Sequence, residues 1–248
     1  MSLPRFLIPP DAVRDGAATV GGQELAHMRK VLRLRPGARV LLWDGEGTEH
    51  EALIRDYDGG VVVMTVVRSY RPERESPLTV TLAQAVGKGD KMDWIVEKST
   101  ELGVACVAPF FSSHTVPRFA GDKGARRRAR WEKIATAAAR QSGRTRVPEI
   151  REPDGCDAVL ARDWQCDARL LFWEDPSGRG LASLREELGS LRSVLVMVGP
   201  EGGFSEEEAA NAAAQGFHVV GLGRRILRTE TAAVAAVCAV QLLWGDLG

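Results

Sequence analysis

The stretch that most constrains this chain runs from Val194 to Glu208. Val194-Leu195-Val196-Met197-Val198 is a continuous apolar run, the pattern of a strand buried on both faces. It passes directly into Gly199-Pro200-Glu201-Gly202-Gly203-Phe204-Ser205 and a row of glutamates. Ser205 with Glu208 three residues later is a capping box, which fixes where the next helix begins. A buried strand, a glycine turn and a capped helix in succession call for an α/β architecture, in which ligands usually bind at the carboxyl ends of strands. Glycines let backbone approach a ligand closely, but they equally suit a tight turn that binds nothing.

The surrounding chain keeps the same rhythm. Strand-like runs at 79–85, 104–110, 147–150, 168–173, 193–198 and 217–221 alternate with helical patterns at 90–102, 124–141, 154–162, 181–188 and 205–215. That alternation predicts a largely parallel sheet. A last helix over 229–244 is apolar almost all round, so it must be buried in the core or against another chain. Arg71-Pro72-Glu73-Arg74-Glu75-Ser76-Pro77, charged and broken by prolines, reads as a linker and divides the chain into domains 1–72 and 73–248. Before it, short β-type runs at 39–43, 50–55 and 61–67, with turns at Asp44-Gly45 and Asp58-Gly59, predict a small β-barrel. A helix over 23–32 interrupts them and brings His27, Arg29, Lys30 and Arg33 together before the Arg35-Pro36-Gly37 turn. Such a group suits a phosphate backbone, and is equally an ordinary surface helix.

Charge adds to this picture only when located. Lys plus Arg and Asp plus Glu both number 33, a net charge of zero. Residues 73–150, however, carry 14 basic against 9 acidic residues (+5), and residues 151–248 carry 9 against 15 (−6). The basic excess gathers around Lys123 to Arg146, either a solvated helix face or a nucleic-acid surface. The apolar runs fall short of the ~18 residues of a membrane span. Prolines break the N-terminus before an export signal could form. Cys106, Cys156, Cys166 and Cys238 form no CxxC pair and have no histidine at zinc-ligand spacing. They read as reduced thiols of a cytoplasmic protein, with no metal, no disulfide and no membrane.

A second glycine turn follows a strand at Gly221-Leu222-Gly223-Arg224-Arg225-Ile226-Leu227-Arg228-Thr229-Glu230-Thr231. Ile226 stands where the third glycine of GxGxxG would be, and GxxxxGK[ST], GxSxG and HExxH are all absent from the sequence. Nicotinamide cofactors, nucleoside triphosphates and the commonest hydrolase chemistries are therefore disfavoured. Two glycine loops from successive strands could wrap an adenosine, with Leu222, Ile226 and Leu227 over its faces.

Taken together, GPEGGFSEEE, LGRRILRTETAA, the run from Lys88 to Val104, ARQSGRTRVPEI from Ala139 to Ile150, and HMRKVLRLRPG from His27 to Gly37 resemble the bacterial ribosomal RNA small subunit methyltransferase E family. Members are SPOUT-superfamily enzymes that use S-adenosylmethionine to methylate N3 of a uridine in 16S rRNA. The resemblance implies a PUA-like RNA-binding barrel over 1–72 and a SPOUT domain over 73–248, with a parallel sheet and a C-terminal trefoil knot. It also implies a homodimer acting on 16S rRNA within the small ribosomal subunit. By the same resemblance Gly199, Pro200, Glu201, Gly202, Gly203, Leu222, Gly223, Leu227, Arg228 and Thr229 line the cofactor pocket, joined by Ile226, and the strand end from Leu171 and Phe172 to Glu174 forms a third wall. In Ser113-His114-Thr115-Val116 a histidine stands where the family commonly has arginine, so no guanidinium role is carried to it.

Uracil N3 carries a proton, so transfer requires that proton to leave and the charge on the flanking carbonyls to be stabilised. Arg228, and Arg144 of the same or the partner subunit, are the candidates for the second task. Glu230 or Glu201 are candidates for the first, although either carboxylate equally suits orienting an arginine or capping a helix. Arg126, Arg127, Arg128, Arg130 and Lys133, with Arg29, Lys30 and Arg33, would track phosphates. Two other readings stay open: a related SPOUT enzyme acting on another RNA nucleotide, and a noncatalytic RNA-binding ribosome assembly factor.

Overall fold

The computed structural model describes residues 3–115, 121–174 and 179–248. It falls into two compact units, Met1–Glu75 with Ala139–Val147, and Ser76–Ala138 with Pro148–Gly248.

The first unit contains β1 (Arg5–Leu7), β2 (Val13–Arg14), β3 (Ala17–Val20), α1 (Gly22–Ala26), β4 (Arg39–Trp43), β5 (Glu49–Asp58) and β6 (Val61–Tyr70). Its sheet runs β1-β4-β5-β6-β3-β2; β1 joins β4 in parallel and the other pairs are antiparallel. Val40 and Leu42, Ala52 and Ile54, and Val62 and Met64 repeat every second residue, so one face of each strand fills a common core with Phe6, Ile8 and Met28. Gly59 and Gly60 at the β5–β6 turn take φ of 54° and 85°, the left-handed values that a tight hairpin requires.

The helix expected over 23–32 is realised differently. α1 stops at Ala26, and His27–Val31 forms a π-helical turn closed by Leu32 N–H donating to the His27 carbonyl at 3.0 Å. The wider turn seats Met28 in the core and sets the His27 ring edge-on to Phe6; Arg33, at φ 51°, then ends it. Arg29, Lys30 and Arg33 face solvent.

Residues 139–147 belong to this unit through a set of specific bonds. Arg5 donates to the carbonyls of Arg140 (3.1 Å) and Arg144 (2.8 Å) and to the fully buried Glu49 carboxylate (2.7 Å). Arg74 bridges Glu49 (3.0 Å) and the Gly143 carbonyl (3.2 Å). Glu75 accepts from the Arg144 guanidinium and from the N–H groups of Thr145 (2.8 Å) and Arg146 (3.1 Å). The segment expected to be a linker is thus anchored rather than loose.

The second unit contains β7 (Thr79–Ala85), α2 (Lys91–Glu101), β8 (Cys106–Phe111), the start of α3 (Asp122–Ser142), β9 (Glu149–Ile150), β10 (Asp154–Gly155), α4 (Cys156–Ala161), β11 (Ala168–Phe172), β12 (Arg179–Gly180), α5 (Leu181–Leu188), β13 (Ser193–Val198), α6 (Glu206–Ala214), β14 (His218–Gly221) and α7 (Thr229–Trp244). Its sheet runs β10-β8-β7-β13-β11-β14-β12, with β9 also on β8, and every pairing is parallel. Val194 to Val198 are all buried, as expected of a central strand covered by helices on both faces. α7 packs on α2, β7 and β13, burying Ala233, Ala236, Val237 and Val240. Its end is fixed by Gln241 donating to the Leu102 carbonyl (2.9 Å) and Trp244 donating to Gly189 (2.8 Å). α7 is not enclosed all round, because Leu242 is 58% exposed. Among the described residues no helix is long and apolar enough to cross a membrane.

Candidate functional site

β13, β11 and β14 lie side by side, so their carboxyl ends open onto one place. There a cleft is lined by Phe172, Trp173 and Glu174 after β11, by Val198 to Glu201 with Gly203 and Phe204 after β13, and by Leu222, Gly223, Arg225, Ile226, Leu227, Thr229 and Ala232 after β14. Backbone forms much of the floor. A Cβ at Gly199 would come within 3.2 Å of the Phe204 ring, which itself stacks on Phe110 at 6.2 Å. Gly203 and Gly223 adopt φ of 68° and 93°, conformations that a side chain would strain.

Buried polar bonds hold the two loops in register. The Thr229 hydroxyl, 4% exposed in the first turn of α7, donates to the Gly199 carbonyl at 2.6 Å. The fully buried Gln84 at the end of β7 donates to Thr229 Oγ1 at 3.0 Å and to the Ala85 carbonyl at 2.9 Å. Ser205 caps α6 in a capping box with Glu208, and the Glu208 carboxylate also accepts from the Ser113 N–H at 2.8 Å. Burial pushes the Glu208 carboxyl up, but these N–H donors outweigh it and hold the group below the usual carboxylate range. Glu201 is likewise lowered: burial opposes ionisation, while the Lys88 N–H and the Lys91 ammonium favour it.

The structure gathers most of the residues singled out from sequence and separates a few. Phe172, Gly199, Pro200, Glu201, Gly203, Leu222, Gly223, Ile226, Leu227 and Thr229 line the cleft. Leu171 does not line the cleft and is instead fully buried in the core cluster that includes Leu195, Met197 and Phe217, because adjacent residues of a strand face opposite sides. Gly202 sits beneath His114, whose Cβ lies 3.0 Å from where a Gly202 Cβ would be; His114 Nδ1 is 3.3 Å from the Gly203 carbonyl oxygen. Val116, of the same tetrapeptide, lies outside the described residues.

Arg228 is the exposed N-cap of α7, and Glu230 pairs with Lys91 at 3.2 Å. Arg144 is committed elsewhere: its guanidinium is 7% exposed and bound to Glu75 at 2.7 Å. On α3, Arg126, Arg127 and Lys133 are exposed, Arg128 pairs with Glu132 (2.9 Å) and Glu152 (3.3 Å), and Arg130 pairs with Asp93.

The family profile described as the RNA methyltransferase domain matches residues 74–241, and that described as the RNA methyltransferase PUA domain matches residues 20–59. The ribosomal RNA small subunit methyltransferase E of Bacillus subtilis is 33% identical over 236 residues, 92% of either chain. The chain belongs to the ribosomal RNA small subunit methyltransferase E family. A crystal structure of the family member from Neisseria gonorrhoeae bound to S-adenosyl methionine superposes with a TM-score of 0.88 at 34% identity, covering 100% of both chains. A Legionella pneumophila protein solved with the bound cofactor SAM gives 0.90 at 31% identity, again over 100% of both chains.

Sequence reasoning about this methyltransferase family member missed Gln84 and Lys91. Gln84 sits in an apolar strand run with no motif around it. Lys91 is silent in the sequence for another reason: its two partners, Glu201 and Glu230, lie far along the chain.

Proposed function

We propose that this chain transfers the methyl group of S-adenosylmethionine to N3 of a uridine in 16S ribosomal RNA of the small subunit. The observation that carries the reading is the cleft at the ends of β11, β13 and β14, floored by glycine backbone and walled by apolar side chains. Concave shape, apolar walls and a few polar groups are the usual make-up of a small-molecule site. Leu222 and Leu227, with Ile226 at 81% exposure on the rim, suit an adenine ring, and the Glu174 and Glu201 carboxylates suit a cationic ligand. When bound, the cofactor supplies an electrophilic sulfonium methyl.

The protein's task is then orientation and proton handling. Arg228, exposed at the start of α7, hydrogen-bonds the uracil carbonyl oxygens as negative charge develops there. Glu230, two residues further on, receives the N3 proton. Arg144 holds the 139–147 segment to Glu75 rather than reaching the base. Because N3 lies on the pairing edge, the target uridine must be unpaired or flipped out. Arg29, Lys30, Arg33, Arg126, Arg127 and Lys133 provide exposed charge for phosphates, and binding should weaken as salt rises.

We further propose a cytoplasmic homodimer in which the outer side of α7, including Leu242, meets a second copy, and a trefoil knot in the C-terminal part of the chain. The activity is tested by incubating the protein with S-adenosylmethionine and small subunits lacking the modification, then analysing digested RNA by mass spectrometry. Appearance of 3-methyluridine is the expected result. Another methylated nucleoside would overturn the acceptor, and absence of any would overturn the substrate.

A further inference from the structure

Lys91, the first residue of α2, reaches both glycine loops. The Lys91 ammonium lies 3.0 Å from Glu201 Oε1 and 3.2 Å from Glu230 Oε2. Glu201 Oε1 also accepts from the Lys88 N–H at 2.9 Å. The approach is close: a Cβ at Gly87 would stand 3.1 Å from Glu201 Oε1 and 3.5 Å from Lys91 Cβ. One ammonium therefore ties the loop after β13 to the first turn of α7.

Two carboxylates against one ammonium leave an excess negative charge, and of the two only Glu201 lines the cleft. The ion-paired partners hold Lys91 cationic against the opposing effect of its burial. The charged groups around the bridge are Lys88, Asp90 and Asp93 of the same segment, Arg130 of α3, which engages Asp93 and lies 3.7 Å from Asp90, and Arg228 at the start of α7. With side chains about a fifth to a third exposed, such pairs add little to global stability. Their effect is on geometry and local charge.

We propose that Lys91 is a positioning residue of the cleft: its ammonium fixes the separation of the two glycine loops and keeps Glu201 as an anion facing the positive charge of a bound sulfonium compound. The inference rests on the reading of the cleft as a site for S-adenosylmethionine. It is tested by calorimetric titration of that compound into the full-length wild type, Lys91→Met and Lys91→Arg proteins between about pH 5 and pH 8, with thermal melting in parallel.

Lys91→Met should bind about tenfold more weakly near neutral pH and lose further affinity as pH falls, because without the ammonium Glu201 takes up a proton at higher pH. Lys91→Arg, which keeps the charge, should restore most of the affinity and the flat pH dependence. Wild-type affinity and pH dependence in Lys91→Met, or equal loss in both variants, would overturn the proposal. Glu201→Gln reads it from the other side. That variant should bind S-adenosylmethionine more weakly yet hold S-adenosylhomocysteine, which lacks the sulfonium charge, as the wild type does; equal loss of both ligands would count against it. A wild-type protein that binds no S-adenosylmethionine would instead bring down the cofactor reading, and this inference with it.

Discussion

Two neighbouring residues at the start of α7 divide the work between architecture and chemistry. Thr229 is buried and spends its hydroxyl on the Gly199 carbonyl at 2.6 Å, so Thr229→Val leaves that carbonyl without its closest donor. The expected cost is about 1 to 3 kcal/mol, measured by urea unfolding, with weaker cofactor binding because the Gly199 turn is released. Arg228, one residue earlier, is exposed and caps nothing with its side chain. Arg228→Ala should abolish methyl transfer to small subunits while its melting temperature stays at the wild-type value. Wild-type turnover in that variant would remove Arg228 from the mechanism. Glycine, threonine and arginine at these positions could be picked out of the sequence as a set. The separation into buried and exposed roles could not, because it depends on how the turn at Arg228 rotates consecutive side chains.

Among the elements, those with a strong local signal were readable in advance. The capping box at Ser205 and the apolar runs of β7 and β13 lie where the sequence predicts them, because cap chemistry and continuous burial are local properties. Ser205→Ala should therefore destabilise the fold by about 1 kcal/mol. It should also loosen the loop that Glu208 ties to Ser113, seen as faster amide exchange at Ser113. β2, β10 and β12, two residues each, carry too little sequence to show a period and exist only because a neighbouring strand offers a free edge. The π-helical turn at His27–Val31 was illegible for a related reason. Its extra residue per turn is dictated by where Met28 must sit in the core, not by the propensities of the residues themselves. Lys91 belongs here too, since its two partners come from elements far away in the chain.

At the scale of the whole molecule, the sequence points to a break near the Arg71 to Pro77 segment, and the first compact unit extends to Glu75 but takes in Ala139–Val147 as well. No local pattern announces that return; it is built from Arg5, Glu49, Arg74 and Glu75 meeting backbone and Arg144. A fragment of residues 1–75 leaves Arg5 and Arg74 without the carbonyls of Arg140, Gly143 and Arg144. It should give poorly dispersed amide spectra, whereas adding a peptide of residues 139–147 should improve the dispersion. The same junction has an acid limit. Burial pushes the Glu75 carboxyl up, but Arg144 and the N–H groups of Thr145 and Arg146 outweigh it, so its pKa lies below the ordinary 4.5. The stability it contributes is present above pH 4.5 and is lost as pH falls through the lowered value. Acid unfolding of Glu75→Gln should show a shallower pH dependence than the wild type.

A unit closed by residues 139–147 cannot be finished when its first 75 residues leave the ribosome. At ~5–20 residues per second, the missing piece follows several seconds later. Through that interval Glu49, fully buried and paired with Arg5 and Arg74 in the finished unit, lacks the 139–147 carbonyls to which those two arginines also donate. Translation itself thus sets the earliest moment at which the first unit can close on its 139–147 segment.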